Sequence, residues 1–104
     1  MTTRRSWKRT ESKIASRLGG ERVPVTGRAR GDVPDIEHDI WSPEVKHWTK
    51  MPVRVVNAMS QAKAAARNGQ IPIVVLHQAG KNHDDDLVVV RLKDFVDLYG
   101  EVES

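Results

Sequence analysis

Apolar residues recur at helical spacing in three parts of the chain. In residues 6–18 an apolar stripe begins at Trp7 and a pair of glycines follows, which predicts a helix and its end. Residues 54–68 carry an apolar stripe rich in alanine, with Gly69 where a left-handed cap would stand. Residues 92–100 complete the pattern as a short third helix.

Strand-like segments lie between these helices. β-branched residues bounded by turn residues predict strands at 71–76 and 87–90, joined by a polar loop. Two shorter strands are predicted at 35–38 and 40–46, the second interrupted at Pro43 because proline lacks an N–H. The order helix, two strands, helix, two strands, helix predicts an α/β fold with a central mixed β-sheet flanked by helices.

Charge is distributed unevenly along the chain. Residues 1–31 carry nine Lys and Arg residues against two acids, a balance of +7, while the remainder has a balance of −4. A basic arm beside an acidic body suggests that one part binds a polyanion and the other a cation. The alternative is a solvated basic helix. A length of 104 residues suits one domain, 1–104, with this basic N-terminal arm.

The composition excludes three classes of feature. There is no run of about 18 apolar residues, so no membrane span is expected. No apolar stretch follows the basic N-terminal residues, so no secretory signal is expected. Because the chain has no cysteine, it has neither disulfides nor thiolate metal sites. A cytoplasmic location is consistent with these features.

Two carboxylates and a lysine lie within twelve residues of one another, at positions 35–46. In a strand, Glu44 and Lys46 face the same side because successive side chains alternate. Taken alone, they form an ordinary surface ion pair. Asp35 on the preceding predicted strand changes this interpretation, since pairing of the two strands would bring it to Glu44. Asp32 or Asp39 would take its place if the strands paired in another register.

Such a group of residues suits phosphodiester cleavage. Mg²⁺ prefers oxygen ligands and typically takes one or two carboxylates together with phosphate oxygens. Asp35 and Glu44 are the candidate ligands, with the backbone carbonyl of Val45 as a third. Lys46 would then act on the phosphate or on the attacking water. The predicted cofactor is therefore Mg²⁺ or Mn²⁺.

Pro34-Asp35 followed by Glu44-Val45-Lys46 resembles the signature of PD-(D/E)xK nucleases. The order of elements is most similar to that of the small Holliday junction resolvases of archaea and bacteriophages. The resemblance implies a restriction-endonuclease-like fold and a homodimer that cuts branched double-stranded DNA, resolving four-way junctions by paired symmetric nicks. It also implies a role in DNA recombination and repair, in the cytoplasm of a prokaryotic or phage-infected cell. Another nuclease of this fold, such as a nickase or restriction-like enzyme, and a non-catalytic DNA-binding module are the alternatives.

The resemblance extends to residues outside the central motif. A glutamate on the first helix matches Glu11, which falls within the apolar stripe; the alternative is an ion pair with Lys8 or Lys13. A polar residue on the middle helix matches Gln61, whose alternative is an ordinary surface glutamine. Residues 21–34 are rich in Gly, Pro and Arg, which predicts a loop with at most a short strand. Thr26-Gly27-Arg28 with Arg30 matches the Ser/Thr-Gly-Arg loop of the family, and the alternative is a flexible basic turn.

These matches define three sets of expected site residues. The expected catalytic residues are Asp35, Glu44, Lys46, Glu11 and Gln61. The expected metal ligands are Asp35, Glu44, Val45 and Glu11. The expected DNA-binding residues are Arg4, Arg5, Lys8, Thr26, Gly27, Arg28, Arg30 and Lys50.

Two further groups of residues allow more than one interpretation. Trp41 and Trp48 flank the central motif and either stack on unpaired bases or fill a core or a dimer interface; we favour the second. His77 and the segment His83–Asp86 form either a metal cluster or an acidic hairpin loop. The loop is the favoured interpretation, because the sequence fixes no common geometry for these residues.

Overall fold

The computed structural model describes residues 4–23 and 35–99, with only the backbone of Arg4 and Arg5. Three helices, four strands and one 3₁₀ turn follow one another in this part of the chain. They are α1 (Arg4–Leu18), β1 (Glu21–Arg22), β2 (Ile36–Glu37), α2 (Val53–Ala65), β3 (Ile73–Leu76), the 3₁₀ turn His83–Asp85, β4 (Leu87–Val90) and α3 (Leu92–Tyr99). The protein is therefore of the α/β class, and no helix among the described residues is long and apolar enough to cross a membrane.

The chain divides into two compact units. The first comprises Met1–Thr49 and Val96–Ser104, and the second comprises Lys50–Phe95. Each unit contains one of the two sheets: β1 pairs with β2 in the first, and β3 pairs with β4 in the second.

The first unit is built where α1 meets the β1–β2 pair. Ala15 and Leu18 on α1 are buried, and Ile36 on β2 is fully buried. The helix ends in a Schellman arrangement: Gly19, with φ of 78°, donates to the Ser16 carbonyl, and the next residue donates to the Ala15 carbonyl. The predicted helix and its glycine stop are thus confirmed.

Gly20 allows the chain to pass close to β2. A Cβ atom at this position would lie 2.5 Å from the Glu37 carbonyl oxygen and 2.9 Å from Cγ2 of Ile36. Both approaches are closer than a side-chain carbon tolerates, so only glycine fits here without displacing the strand. The strand pairing that follows places Glu21 opposite Glu37.

The second unit is a β-hairpin with α2 packed against β3. The two strands are antiparallel, in a register that runs from Ile73 opposite Val90 to Leu76 opposite Leu87. The helix ends at Ala65, three residues before the predicted end, because Ala66 is already extended. Gly69 does have a positive φ, 86°, but in the turn beyond the helix rather than in its cap.

The predicted mixed sheet is wrong over the described residues, which form two separate two-stranded antiparallel sheets. The cause lies in residues 40–46, which form no strand. Here Nδ1 of His38 accepts the N–H groups of Ile40 and Trp41, at 3.0 and 3.3 Å. Pro43 has no N–H, and the Val45 N–H donates to Oδ2 of the Asp35 side chain. With these donors absent or engaged, the segment cannot add a strand to β2, whose partner is β1.

Candidate functional site

An open cleft of about 390 Å³ lies on the first unit. It contains all five of the expected catalytic and metal-binding residues of the central motif and α1, together with aromatic and histidine side chains. The lining residues are Trp7, Glu11, Asp35, Glu44, Val45, Lys46, His47 and Trp48. Residues far apart in the sequence therefore meet at one surface.

Asp35 is the best-fixed acid of this cleft. It is only 7% exposed and immediately precedes β2, where its carbonyl accepts the N–H of Val23 at 2.9 Å. Its side-chain Oδ2 accepts the N–H of Val45 at 2.6 Å. The backbone bond fixes Asp35 beside the β1 strand, and the side-chain bond ties it to the middle of the Glu44–Lys46 segment. Asp35 and Glu44 thus come together without the strand pairing that the sequence predicted.

Glu44 and Lys46 point to the same side of an extended segment. From Trp41 to Trp48, more and less exposed residues alternate strictly, although no strand forms. The Glu44 and Lys46 side chains are 62% and 61% exposed, and their charged atoms lie 3.4 Å apart. An exposed pair of this kind contributes little to stability. Both groups are therefore accessible to a ligand of the cleft.

Glu11 faces inward from α1, as its place in the apolar stripe predicts. Its Oε1 accepts from Nε of Arg22 at 2.8 Å, and the two side chains are 15% and 18% exposed. The counter-ion is thus Arg22 on β1 rather than Lys8 or Lys13. Sequence reasoning missed Arg22, because the pairing follows from the packing of α1 against β1 and not from helical spacing.

Three further lining residues were not assigned to the site from the sequence. His47 accepts or donates at Nδ1 in a 2.6 Å hydrogen bond with Oγ1 of Thr10. Trp7 and Trp48 are 50% and 55% exposed, so neither fills a core within the described chain. Trp41 differs from them because it is half-buried. Its ring and that of Tyr99 are in a T-shaped arrangement, with ring centroids 6.2 Å apart. Exposure is a property of the folded chain, so spacing along the sequence carried no signal for Trp7 or His47.

The other expected site residues lie elsewhere or outside the described residues. Gln61 is exposed on α2 of the second unit, and its catalytic role stays a prediction. Lys8 and Lys50 are exposed, and Asp39 is exposed and is not among the residues that line the cleft. Outside the described residues lie Thr26, Gly27, Arg28, Arg30, Asp32 and the side chains of Arg4 and Arg5.

The donor set of the cleft fits a hard divalent cation. Glu11, Asp35 and Glu44 supply carboxylate oxygens, and the Val45 backbone supplies a carbonyl oxygen. An ionised carboxylate offers about four acceptor positions, so a carboxylate that accepts a hydrogen bond or forms an ion pair can still be a metal ligand. Oxygen ligands of this type are those preferred by Mg²⁺ and Mn²⁺.

Comparison with known proteins adds no relative. No family model matches the chain, and no match is found among curated proteins or solved structures. The function is therefore argued from the chemistry of the cleft.

Proposed function

We propose that this protein is a metal-dependent DNA endonuclease of the PD-(D/E)xK type, on a restriction-endonuclease-like variant of the α/β fold. The observation that carries the proposal is the hydrogen bond between Oδ2 of Asp35 and the N–H of Val45. It joins the first acid of the motif to the centre of the Glu44-Val45-Lys46 tripeptide. The same bond brings Asp35 into one cleft with Glu44 and Lys46.

Asp35 and Glu44 would hold the metal, with the Val45 carbonyl and Glu11 as further oxygen donors. When bound, Mg²⁺ or Mn²⁺ polarises the phosphoryl group, activates water and stabilises the leaving oxygen. Burial of Asp35 keeps its carboxylate in one position, whereas the exposed Glu44 can adjust to the incoming phosphate. A rigid and an adjustable ligand together suit a site that binds its substrate through the cation.

Lys46 would act on the substrate rather than on the metal. Its ammonium group lies on the same side of the segment as Glu44 and is exposed to the cleft. A compact positive charge there can stabilise the additional negative charge that develops on phosphate, or orient the attacking water. Its present partner Glu44, at 3.4 Å, holds it beside the expected metal position.

DNA would be held by the basic N-terminal part and by the two exposed tryptophans. Residues 1–31 carry the +7 balance, which favours binding to phosphates. Trp7 and Trp48 beside the cleft present faces on which unpaired bases can stack, each such contact contributing about 1–3 kcal/mol. The exposure of Trp48 counts against a place in the core, and it suits stacking on a base or a place in a dimer interface.

The substrate class rests on the family resemblance. We propose branched double-stranded DNA, and four-way junctions in particular, because the motif is most similar to that of the Holliday junction resolvases. A nickase or restriction-like enzyme would use the same cleft on unbranched DNA. A non-catalytic DNA-binding module would need only the basic residues and would leave the grouping of carboxylates and lysine unexplained.

A cleavage panel tests the proposal and separates these alternatives. The full-length protein is incubated with labelled four-way junction, flap, nicked and linear duplex DNA in Mg²⁺, Mn²⁺ or Ca²⁺. We expect cleavage of the junction in Mg²⁺ and Mn²⁺, and binding without cleavage in Ca²⁺. Preferred cutting of linear duplex would reassign the enzyme as a nickase or restriction-like nuclease. Binding without cleavage under every condition would leave only the DNA-binding module.

Resolution of a junction requires two symmetric cuts, so we propose a two-fold homodimer. Mixed dimers of wild-type and Lys46→Ala chains, isolated with two different tags, are expected to nick one strand and leave the junction unresolved. Dimers of wild-type and Lys63→Ala chains serve as the control, since Lys63 is exposed on α2 outside the cleft. They should cut both strands. Full resolution by a protein that sediments as a monomer would contradict the dimer.

DNA affinity is expected to depend steeply on salt, because each neutralised phosphate releases counterions. The log–log slope is about −0.9 per phosphate contact for duplex DNA. Changing Arg28 and Arg30 to Ala together should flatten the slope by roughly one to two units. Arg54→Ala, an exposed arginine on α2, is the matched control and should leave the slope unchanged. Fluorescence anisotropy titrations over a range of salt concentrations measure the slope. An unaltered slope in the double variant would mean that Arg28 and Arg30 do not contact DNA phosphates.

A further inference from the structure

Two histidines and an aspartate meet at the end of the β3–β4 hairpin. Nδ1 of His77 lies 2.6 Å from Oδ1 of Asp86, and Nδ1 of His83 lies 3.1 Å from Oδ2 of the same carboxylate. The two imidazole rings are stacked, with centroids 4.2 Å apart. One ligand atom from each residue falls within 4.8 Å of the others. The sequence favoured an acidic loop here, and the structure instead gathers three metal-binding side chains.

The hairpin itself places these residues. His77 directly follows β3 and Asp86 directly precedes β4, so they extend the strand register beyond the Leu76–Leu87 pair. His83 is carried back towards them by the 3₁₀ turn, which Asn82 caps by accepting the Asp84 N–H at 2.9 Å. Asp86 in turn donates its backbone N–H to the His83 carbonyl at 3.0 Å. Hydrogen bonds within the loop, from both backbone and side chains, thus hold the three residues together.

We propose that His77, His83 and Asp86 form a binding site for a divalent transition metal of the zinc type, separate from the carboxylate cleft of the first unit. Tetrahedral Zn²⁺ bonds of about 2.0–2.2 Å put neighbouring ligand atoms about 3.3 Å apart. The His83–Asp86 nitrogen–oxygen distance of 3.1 Å is already close to that spacing, and the His77–Asp86 distance of 2.6 Å needs to open by about 0.7 Å. Three protein ligands leave a fourth position for water.

The ligand types select the class of metal. Two imidazoles and one carboxylate suit Zn²⁺, Ni²⁺ or Cu²⁺, whereas Mg²⁺ prefers oxygen ligands alone. The Asp86 side chain is only 14% exposed, so its charge is partly withdrawn from water and gains from a cation beside it. A bound metal would tie together the two ends of the ten-residue loop 77–86 and stabilise the hairpin in its present form.

Calorimetric titration of the full-length protein with Zn²⁺ alone tests the site. His77→Ala, His83→Ala and Asp86→Asn are each expected to weaken binding on the order of 100-fold, since even outer-shell changes cost about 10–100-fold in metal affinity. Asp84→Asn is the matched control, an exposed aspartate of the same loop outside the cluster, and should bind like wild type. An Asp35→Asn/Glu44→Gln variant should also retain this Zn²⁺ site, so loss of nuclease activity and loss of the hairpin site are distinguishable.

Two measurements check the same site without relying on a single variant. At about 100-fold excess over its Kd, Zn²⁺ should raise the Tm of the wild-type protein by roughly 10 °C, and it should not do so for the His77→Ala/His83→Ala variant. In NMR spectra, Zn²⁺ should shift the imidazole signals of His77 and His83 and leave those of His38 and His47 in place. Zn²⁺ binding that persists in the double-histidine variant, or that shifts only His47, would overturn the proposal.

Discussion

Asp35→Asn and Glu44→Gln are each expected to lower the rate of DNA cleavage by at least about 1000-fold, a loss of about 4 kcal/mol in transition-state stabilisation. The reason is that each change removes a charged ligand of the proposed metal while leaving the shape of the side chain. The asparagine oxygen can still accept the Val45 N–H, so the segment should keep its position. DNA binding in Ca²⁺ should therefore be retained. Single-turnover cleavage in Mg²⁺ and anisotropy in Ca²⁺ measure the two effects separately.

Matched controls for this pair come from the same stretch of chain. Glu37→Gln and Asp39→Asn each remove an exposed carboxylate that does not line the cleft. Both variants should cut DNA at a rate near that of wild type. Loss of cleavage in Asp39→Asn, with near-normal cutting by Asp35→Asn, would instead assign Asp39 as the first acid of the motif.

Ile36→Ala is expected to destabilise the first unit by about 3 kcal/mol, a large part of the stability of a small domain. Ile36 is 0% exposed and lies where β2 packs against α1, so truncation leaves a cavity next to the buried Asp35. Urea denaturation followed by tryptophan fluorescence reports on this unit, because all three tryptophans belong to it. The control is Ile40→Ala, at a position 54% exposed, which should change the stability by less than about 0.5 kcal/mol. Equal destabilisation by the two changes would mean that the core has been misplaced.

The elements predicted from local periodicity are those that the structure confirms. All three helices and the strands β3 and β4 occur close to their predicted positions, because a helical stripe or a β-branched run is a property of neighbouring residues. The predicted mixed sheet depended on long-range pairing, for which periodicity carries no information. Its second strand, residues 40–46, does keep the alternating exposure of a strand. It forms no backbone hydrogen bonds to a neighbouring strand, because His38 and Asp35 accept its N–H groups and Pro43 has none to donate.

The candidate site shows the same division between local and long-range information. The tripeptide Glu44-Val45-Lys46 and the preceding Asp35 could be recognised by their spacing, and all four residues line one cleft. The inward position of Glu11 followed from its helical stripe. The Glu11–Arg22 ion pair and the Thr10–His47 hydrogen bond depend on how separate segments of the chain pack together. The spacing of residues within one helix or strand does not predict such packing. The metal-cluster interpretation of His77 and His83–Asp86 was not favoured for a related reason, since it is a 3₁₀ turn that brings His83 back to His77.

The most direct test of the proposed nuclease site is the position of its metal. A crystal of the full-length protein soaked in Mn²⁺ can be measured for anomalous scattering, which locates the ion without reference to activity. We predict an anomalous peak in the cleft of the first unit, within bonding distance of the carboxylate oxygens of Asp35 and Glu44. Mn²⁺ bound at other positions, with no peak between these two carboxylates, would contradict the assignment of this cleft as a PD-(D/E)xK active site.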